Sequence, residues 1–167
     1  MIFVTVGTTE QPFDRLLRAV GTLGIEEEIV LQFGHSTFLP PNARPVKFLG
    51  FDEMKGMIDR ARVVLCHAGA GSVLNALCFG KRPVVAPRLR KFGEMVDDHQ
   101  LDLVEAFRDS VIPYLPGDDL AGKIAAAGAQ EHTIKRQPSR QLVTAIQSFI
   151  EPASASTVRR AGTVDSH

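Results

Sequence analysis

Short apolar runs of strand length alternate along this 167-residue chain with longer amphipathic stretches of helix length. The strand candidates are Ile2–Val6, Glu28–Phe33, Val46–Leu49, Arg62–Cys66, Pro83–Ala86 and Val111–Leu115. The helix candidates are Pro12–Val20, Asp52–Arg60 with Asp52 as its cap, Gly71–Phe79, Met95–Phe107, Leu120–Ala129 and Ser139–Ile150. Such alternation is typical of βαβ units. It predicts a single α/β, Rossmann-like domain with a mostly parallel sheet of about six strands and helices on both faces.

The C-terminal end of the chain differs in composition from the rest. Glu151–His167 is rich in Ser, Ala, Thr and Arg and nearly free of large apolar side chains. This segment therefore cannot bury enough apolar surface to offset the conformational entropy that it would lose on folding. We therefore expect one domain over residues 1–150 and a disordered tail over residues 151–167. The N-terminus lacks the features of a signal peptide, and no apolar run approaches the roughly 20 residues that span a bilayer. This predicts a cytoplasmic protein that is recruited to a membrane only peripherally, through a partner.

Charge and cysteine content exclude several classes of function. Lys plus Arg and Asp plus Glu both number 19, so the net charge is zero, which argues against binding to nucleic acid through bulk charge. Cys66 and Cys78 lie in apolar runs without zinc-site spacing, and we expect both to be buried. Acidic pairs such as Asp97–Asp98 are adjacent rather than spaced as DxD. The sequence therefore predicts no metal site and no other cofactor.

The most informative segment is VVLCHAGAGS, in which an apolar strand runs through His67 into a glycine-rich turn and a helix. Glycines allow a ligand to approach the backbone closely, and a helix N-terminus offers free N–H groups to a phosphate or diphosphate. A second turn, Gly7-Thr8-Thr9, follows the first strand. Because open α/β sheets bind ligands at the carboxyl edge of their strands, the two turns together indicate a phosphate site. A capped turn without a ligand remains the alternative for each.

Other nucleotide-binding fingerprints are missing. Leu74 stands where GxGxxG requires its third glycine, and the second strand ends in Gln32-Phe33-Gly34-His35 without an acid for a ribose. No GxxxxGK[ST] sequence occurs, which excludes a P-loop. A third cluster, Asp97-Asp98-His99-Gln100, opens a predicted helix. Its acids either complement the helix dipole, or its His and Gln contact a polyhydroxylated ligand.

Taken together, GTT after the first strand, HAGAGS in the middle and DDHQ further on resemble the C-terminal, donor-binding half of GT-B glycosyltransferases of family 28. The likeness covers roughly residues 1–150. It is strongest to the free-standing soluble subunits of two-part UDP-sugar transferases, which act in eukaryotic dolichol-linked chitobiose synthesis and in bacterial exopolysaccharide synthesis.

The resemblance implies roles for particular residues. The His67–Ser72 turn would hold the donor diphosphate through backbone N–H groups, the first turn would approach the phosphates, the backbone near Phe51 would meet uracil, and the DDHQ segment would contact the sugar. In the family a glutamate four residues after the last turn glycine binds the ribose diol, and here that position is Asn75. The implied substrate-binding residues are Gly7, Thr8, Thr9, Phe51, His67, Gly69, Ala70, Gly71, Ser72, Asn75, Asp98, His99 and Gln100.

The resemblance also implies partners: a UDP-sugar, a membrane-anchored acceptor-binding subunit and a lipid-linked saccharide acceptor. It implies inverting transfer without a metal, with the catalytic base on the partner, so no catalytic residue is assigned here. A non-catalytic nucleotide-sugar-binding or scaffolding subunit is the alternative. Two surfaces are candidates for docking: the basic run Arg88–Lys91, and an apolar stripe formed by Leu142, Val143, Ile146, Phe149 and Ile150.

Overall fold

A computed structural model describes residues 1–129 of the chain. The expected helix over residues 139–150, the apolar stripe on it and the tail over residues 151–167 lie outside the described residues. The strands are β1 (Ile2–Thr5), β2 (Ile29–Gln32), β3 (Arg44–Val46), β4 (Val63–His67), β5 (Val84–Ala86) and β6 (Ile112–Pro113). The α-helices are α1 (Asp14–Gly21), α2 (Phe51–Arg60), α3 (Ala70–Cys78), α4 (His99–Ala106) and α5 (Leu120–Ala129), and a 3₁₀ turn spans Arg90–Phe92.

The six strands form one parallel sheet in the order β3-β2-β1-β4-β5-β6. This arrangement confirms the predicted α/β fold. The chain runs outward from β1 to β3, then returns to pair β4 with the other side of β1, with Val4 opposite Leu65. The order therefore reverses between β1 and β4, and such a switch point leaves a crevice at the carboxyl ends of the strands.

Both faces of the sheet are covered, which explains why its strands read as continuous apolar runs. All four residues of β1 and all five of β4 are buried. One core joins Ile2 and Val4 with apolar side chains of α1 and α5, including Leu16 and Ile124. The alternating residues point to the opposite face, where α3 contacts β4. Packing of the helices on both faces stabilises the sheet, and the order of its strands determines where the turns at its carboxyl edge lie.

Several boundaries differ from the sequence predictions. Helix α4 begins at His99 rather than Met95, because the Glu94 and Asp98 carboxylates accept hydrogen bonds from the Leu89 and Arg90 N–H groups and so hold the preceding residues in a loop. Strand β3 begins two residues before the predicted position, in register with β2. Helix α2 begins one residue before Asp52, which is therefore not its cap.

The two cysteines also have different surroundings. Cys66 in β4 is fully buried as expected, and burial raises the pKa of its thiol to about 12. Cys78 is exposed at the end of α3, so the prediction that it is buried was wrong. The apolar run around it is the buried stripe of an amphipathic helix, and Cys78 lies outside that stripe.

Candidate functional site

A cavity of about 280 Å³ opens at the carboxyl ends of β1 and β4, at the switch point of the sheet. Both turns that the sequence singled out contribute to its wall, and so does Asn75 from α3. The lining residues are Thr5, Gly7, Thr8, Thr9, Gln32, Met54, Ile58, Val64, His67, Gly69, Gly71, Ser72 and Asn75. None of these residues carries a charged carboxylate, ammonium or guanidinium group.

The imidazole of His67 occupies the space between the two glycine turns. A Cβ atom on Gly7 would lie 2.5 Å from Cε1 of the ring, and one on Gly69 would overlap Nε2. Gly7 also has a left-handed backbone (φ +79°), which disfavours any other residue there. The glycines therefore allow a large, 8% exposed ring to lie beside both turns.

His67 is held in its neutral form. Burial, and to a smaller extent the charge of the nearby Arg88 guanidinium, lower the pKa of the imidazole to about 4, whereas a hydrogen bond from the ring to the Thr5 backbone acts in the opposite direction. At neutral pH the ring therefore lies in the cavity wall without adding a charge to it.

The N-terminus of α3 forms another part of the wall. Gly69 is extended (φ −85°, ψ 133°) and precedes the first helical residue, Ala70. The N–H groups of Ala70 and Gly71 have no acceptor within the helix, because no helical carbonyl precedes them. The N–H of Ser72 already donates to Gly69 O at 3.0 Å, which leaves its hydroxyl available. No acidic residue lies in this first turn, so the positive end of the helix dipole is free to attract an anion.

Thr5 and Gln32 form a buried polar pair that is hydrogen-bonded to the turn after β1. The Thr5 hydroxyl donates to Gln32 Oε1 at 2.5 Å, and Gln32 Nε2 donates to Gly7 O at 3.0 Å. Sequence reasoning missed both residues. The signal that could have found Gln32 is a polar side chain at the carboxyl end of an otherwise apolar strand, the edge where functional groups collect.

Three apolar residues complete the cavity: Met54 and Ile58 from α2, and Val64 from β4. Sequence analysis missed these residues as well, because apolar side chains in a helix or strand indicate burial whether or not a ligand lies beside them.

Other predicted residues lie outside the cavity wall. Phe51 is 66% exposed at the start of α2, with Lys55 Nζ 4.0 Å from its ring centroid. His99 is exposed and pairs with Asp97, while Asp98 accepts a hydrogen bond from the Arg90 N–H at 2.8 Å. Contacts from these residues to a ligand stay predictions.

Gln100 and Arg88 are both buried, and they are bonded to each other. Gln100 Oε1 accepts a hydrogen bond from the Arg88 backbone N–H at 2.9 Å. Arg88 is 1% exposed, so its expected place on a basic docking surface was wrong. Its guanidinium points inward because backbone carbonyls of the β1–α1 loop and of Glu94 surround it. Of the basic run, Arg90 and Lys91 remain exposed.

Neither a membrane-spanning helix nor a cluster of metal ligands is present in residues 1–129. No helix in this part of the chain is long and apolar enough to cross a membrane. No group of three or more His, Cys, Asp or Glu side chains within the same residues is placed to bind a metal ion.

Comparison with known proteins relates this chain to glycosyltransferases. The family described as the glycosyltransferase family 28 C-terminal domain matches residues 1–152. UDP-N-acetylglucosamine transferase subunit ALG13 of Yarrowia lipolytica is 43% identical over 54 residues, which are 32% of this chain and 26% of that protein. The human protein of the same name is 34% identical over 121 residues, or 62% of this chain and 10% of the human protein. This chain therefore matches only a minor part of either relative.

Solved structures show the same fold. The calicheamicin glycosyltransferase CalG4 matches with a TM-score of 0.57 at 18% identity, over 91% of this chain and 39% of that one. The glycosyltransferase SnogD from Streptomyces nogalater matches with a TM-score of 0.57 at 19% identity, over 90% and 39%. These likenesses concern the fold alone, whereas the family match extends over most of the sequence. The chain belongs to the glycosyltransferase family 28 C-terminal domain family.

Proposed function

We propose that this chain is the donor-binding subunit of a two-component inverting glycosyltransferase. The donor is a UDP-sugar, and the acceptor is a lipid-linked saccharide in polysaccharide or glycolipid synthesis. The observation that carries the proposal is the cavity at the switch point, with the N-terminus of α3 in its wall and no acidic residue in that turn. Family membership and the name of the ALG13 relatives, subunits of a UDP-N-acetylglucosamine transferase, support a UDP-linked donor.

The cavity suggests how the leaving group is stabilised. When the bond between the sugar and the diphosphate breaks, negative charge builds up on the UDP oxygen. Gly71 and Ser72 line the cavity, and we expect the N–H groups of Ala70 and Gly71, the Ser72 hydroxyl and the helix dipole to stabilise that charge from fixed positions, without reorganisation. Backbone dipoles take the place of a metal ion in this proposal.

The base that deprotonates the acceptor hydroxyl is proposed to lie on a partner. The lining residues include no carboxylate, and His67, with a pKa of about 4, is a weak base at neutral pH. A GT-B active site lies between two Rossmann-like domains, and this chain covers 39% of the solved glycosyltransferases it matches. We propose that a membrane-anchored subunit supplies the acceptor-binding domain and recruits this cytoplasmic chain peripherally.

Gly71→Val tests donor binding directly. A Cβ on Gly71 would meet no protein atom within 4 Å, so the variant should fold normally while its side chain occupies the diphosphate position. We expect calorimetry to detect UDP binding to the wild type and none to the variant. Gly24→Val is the matched control, because Gly24 is equally uncrowded but lies before β2, away from the cavity. Unchanged UDP affinity in folded Gly71→Val would contradict the proposed function.

A non-catalytic nucleotide-sugar-binding or scaffolding subunit is the second candidate, and Asn75 favours it. Its neutral amide lies in the cavity wall where the family commonly carries a glutamate. Transfer from radiolabelled UDP-N-acetylglucosamine to a lipid-linked acceptor, measured with and without the acceptor-binding subunit, separates the two. Donor binding with no transfer in the assembled complex would favour scaffolding.

A further inference from the structure

Arg88 follows β5 and is one of the largest fully buried side chains in residues 1–129. Its Nη2 donates to Val6 O at 2.9 Å, and its Nη1 donates to Gln11 O at 2.8 Å. Pro12 O lies 3.3 Å from the same Nη1, and the guanidinium carbon lies 4.6 Å from the Phe13 ring centroid. The guanidinium therefore binds both ends of the loop that carries Gly7, Thr8 and Thr9.

The positive charge of Arg88 is held by carbonyl groups rather than by a carboxylate. The nearby Glu94 carboxylate is bound by Arg15 at 2.9 Å and by the Leu89 N–H at 3.0 Å. Only the Glu94 backbone carbonyl, at 3.3 Å, accepts from Arg88. Burial lowers the pKa of Arg88 to about 10, so it remains protonated at neutral pH. The Glu94 carboxylate offsets part of the Arg88 charge without bonding to the guanidinium, and Arg88 is close enough to disfavour protonation of His67.

The side chain of Arg88 bonds the loop after β1, whereas its backbone lies in the loop after β5 and bonds α4. Its N–H donates to Gln100 Oε1 at 2.9 Å, and Gln100 is the second residue of α4. One residue therefore links the turn after β1 to the loop between β5 and α4. A guanidinium presents several donors in a rigid plane, whereas an ammonium is a point charge that cannot reproduce the same fork.

We propose that Arg88 is a positioning residue that fixes the Gly7–Thr9 turn in the conformation that receives the donor diphosphate. This inference rests on the proposed function, and Arg88 itself is not among the residues that line the cavity. A turn that is already ordered before the ligand arrives avoids the entropic cost of ordering on binding, so Arg88 contributes to affinity for the phosphates rather than for the nucleoside.

The experiment compares Arg88→Lys and Arg88→Met with Arg62→Met. Arg62 precedes β4 at the opposite edge of the sheet, where it binds Glu27, so its loss lowers stability without touching the cavity. NMR titration with UDP and with uridine measures the two affinities for each protein. We expect the affinity for UDP to fall about tenfold in Arg88→Lys while the affinity for uridine stays unchanged. We also expect faster hydrogen exchange at the Thr8 and Thr9 amides of the ligand-free variant. Arg62→Met should change neither.

The outcomes separate this inference from the proposed function. If the wild type binds UDP and folded Arg88 variants keep the same ratio of UDP to uridine affinity, the positioning role is overturned while the proposed function stands. If UDP and uridine affinities fall together, Arg88 acts on the whole fold and the inference is equally overturned. If Arg88→Met does not fold, Arg88→Lys decides, and failure of both variants to fold would show a folding role instead. A wild type that binds no UDP would overturn the proposed function.

Discussion

At the scale of single residues, the two glycines of the β4–α3 turn have different functions. Gly69 leaves room for the His67 ring, which a Cβ at that position would overlap. Gly71 lies in the cavity wall and faces open space, so a side chain at this position would enter the volume that we propose the donor occupies.

Asn75 allows a prediction about the ribose end of the donor. Its side chain lies in the cavity wall, and no protein group in residues 1–129 forms a hydrogen bond with its amide. We expect Asn75→Leu to weaken UDP binding by about 1–3 kcal/mol, because polar ligand groups lose their partner. Asn75→Glu should retain or improve binding. Calorimetry on these variants is compared with Ala125→Leu, which adds leucine to an exposed position of α5. Equal affinities in all would show that residue 75 does not contact the ligand.

The residues that the sequence misassigned have contacts that no local pattern reveals. A basic run suggests a solvated surface, yet Arg88 is buried because Val6 O, 82 positions earlier in the chain, accepts its hydrogen bond. Thr5 and Gln32 bond across neighbouring strands, which depends on sheet order. By contrast, the glycine turns were predictable because the backbone freedom they provide is encoded in the residues themselves.

At the scale of elements, the spacing of apolar residues and the length of each apolar run were sufficient to predict the strands and helices, but not every boundary. Helix α5 spans the predicted residues, since a helical stripe of Leu120, Ile124 and Ala127 marks it. Strand β3 is displaced from its prediction because pairing with β2, rather than its own side chains, sets its register. The 3₁₀ turn at Arg90–Phe92 was missed, since a segment of three residues is too short to show a repeating pattern of apolar side chains.

The β4–α3 turn should give the protein a specific pH dependence. The pKa of His67 is lowered from 6.5 to about 4, so between these values the unfolded chain takes up a proton that the folded chain does not. The stability contributed by the neutral ring is complete above the unfolded pKa and declines as pH falls towards 4. Urea unfolding at about pH 7 and about pH 5 should show a larger loss for wild type than for His67→Gln. Parallel losses would contradict this assignment of the pKa.

At the scale of the whole molecule, the cavity is a consequence of strand order. The chain leaves β1 in one direction and returns to its other side as β4, so two turns far apart in sequence meet at one edge. Alternation of strands and helices predicted the fold class, and the right-handed crossover rule limits the possible orders. The meeting of Gly7 with His67 could be expected only from that order, which apolar patterning does not specify.

The residues that line the cavity at the carboxyl ends of β1 and β4 determine what the chain can do alone. The purified chain should bind UDP-N-acetylglucosamine but transfer little or no sugar, because the cavity wall contains no group suited to activate an acceptor. Adding the proposed membrane-anchored acceptor-binding subunit should allow transfer.

Arg90 and Lys91 are exposed in the loop that follows the carboxyl end of β5, so Arg90→Glu with Lys91→Glu should weaken copurification with that subunit while UDP affinity is kept. Arg60→Glu with Arg108→Glu reverses the same number of exposed charges at the ends of α2 and α4, at the opposite edge of the sheet, and should leave assembly unchanged. Robust transfer by the chain alone, onto a lipid-linked acceptor, would overturn the two-component assignment.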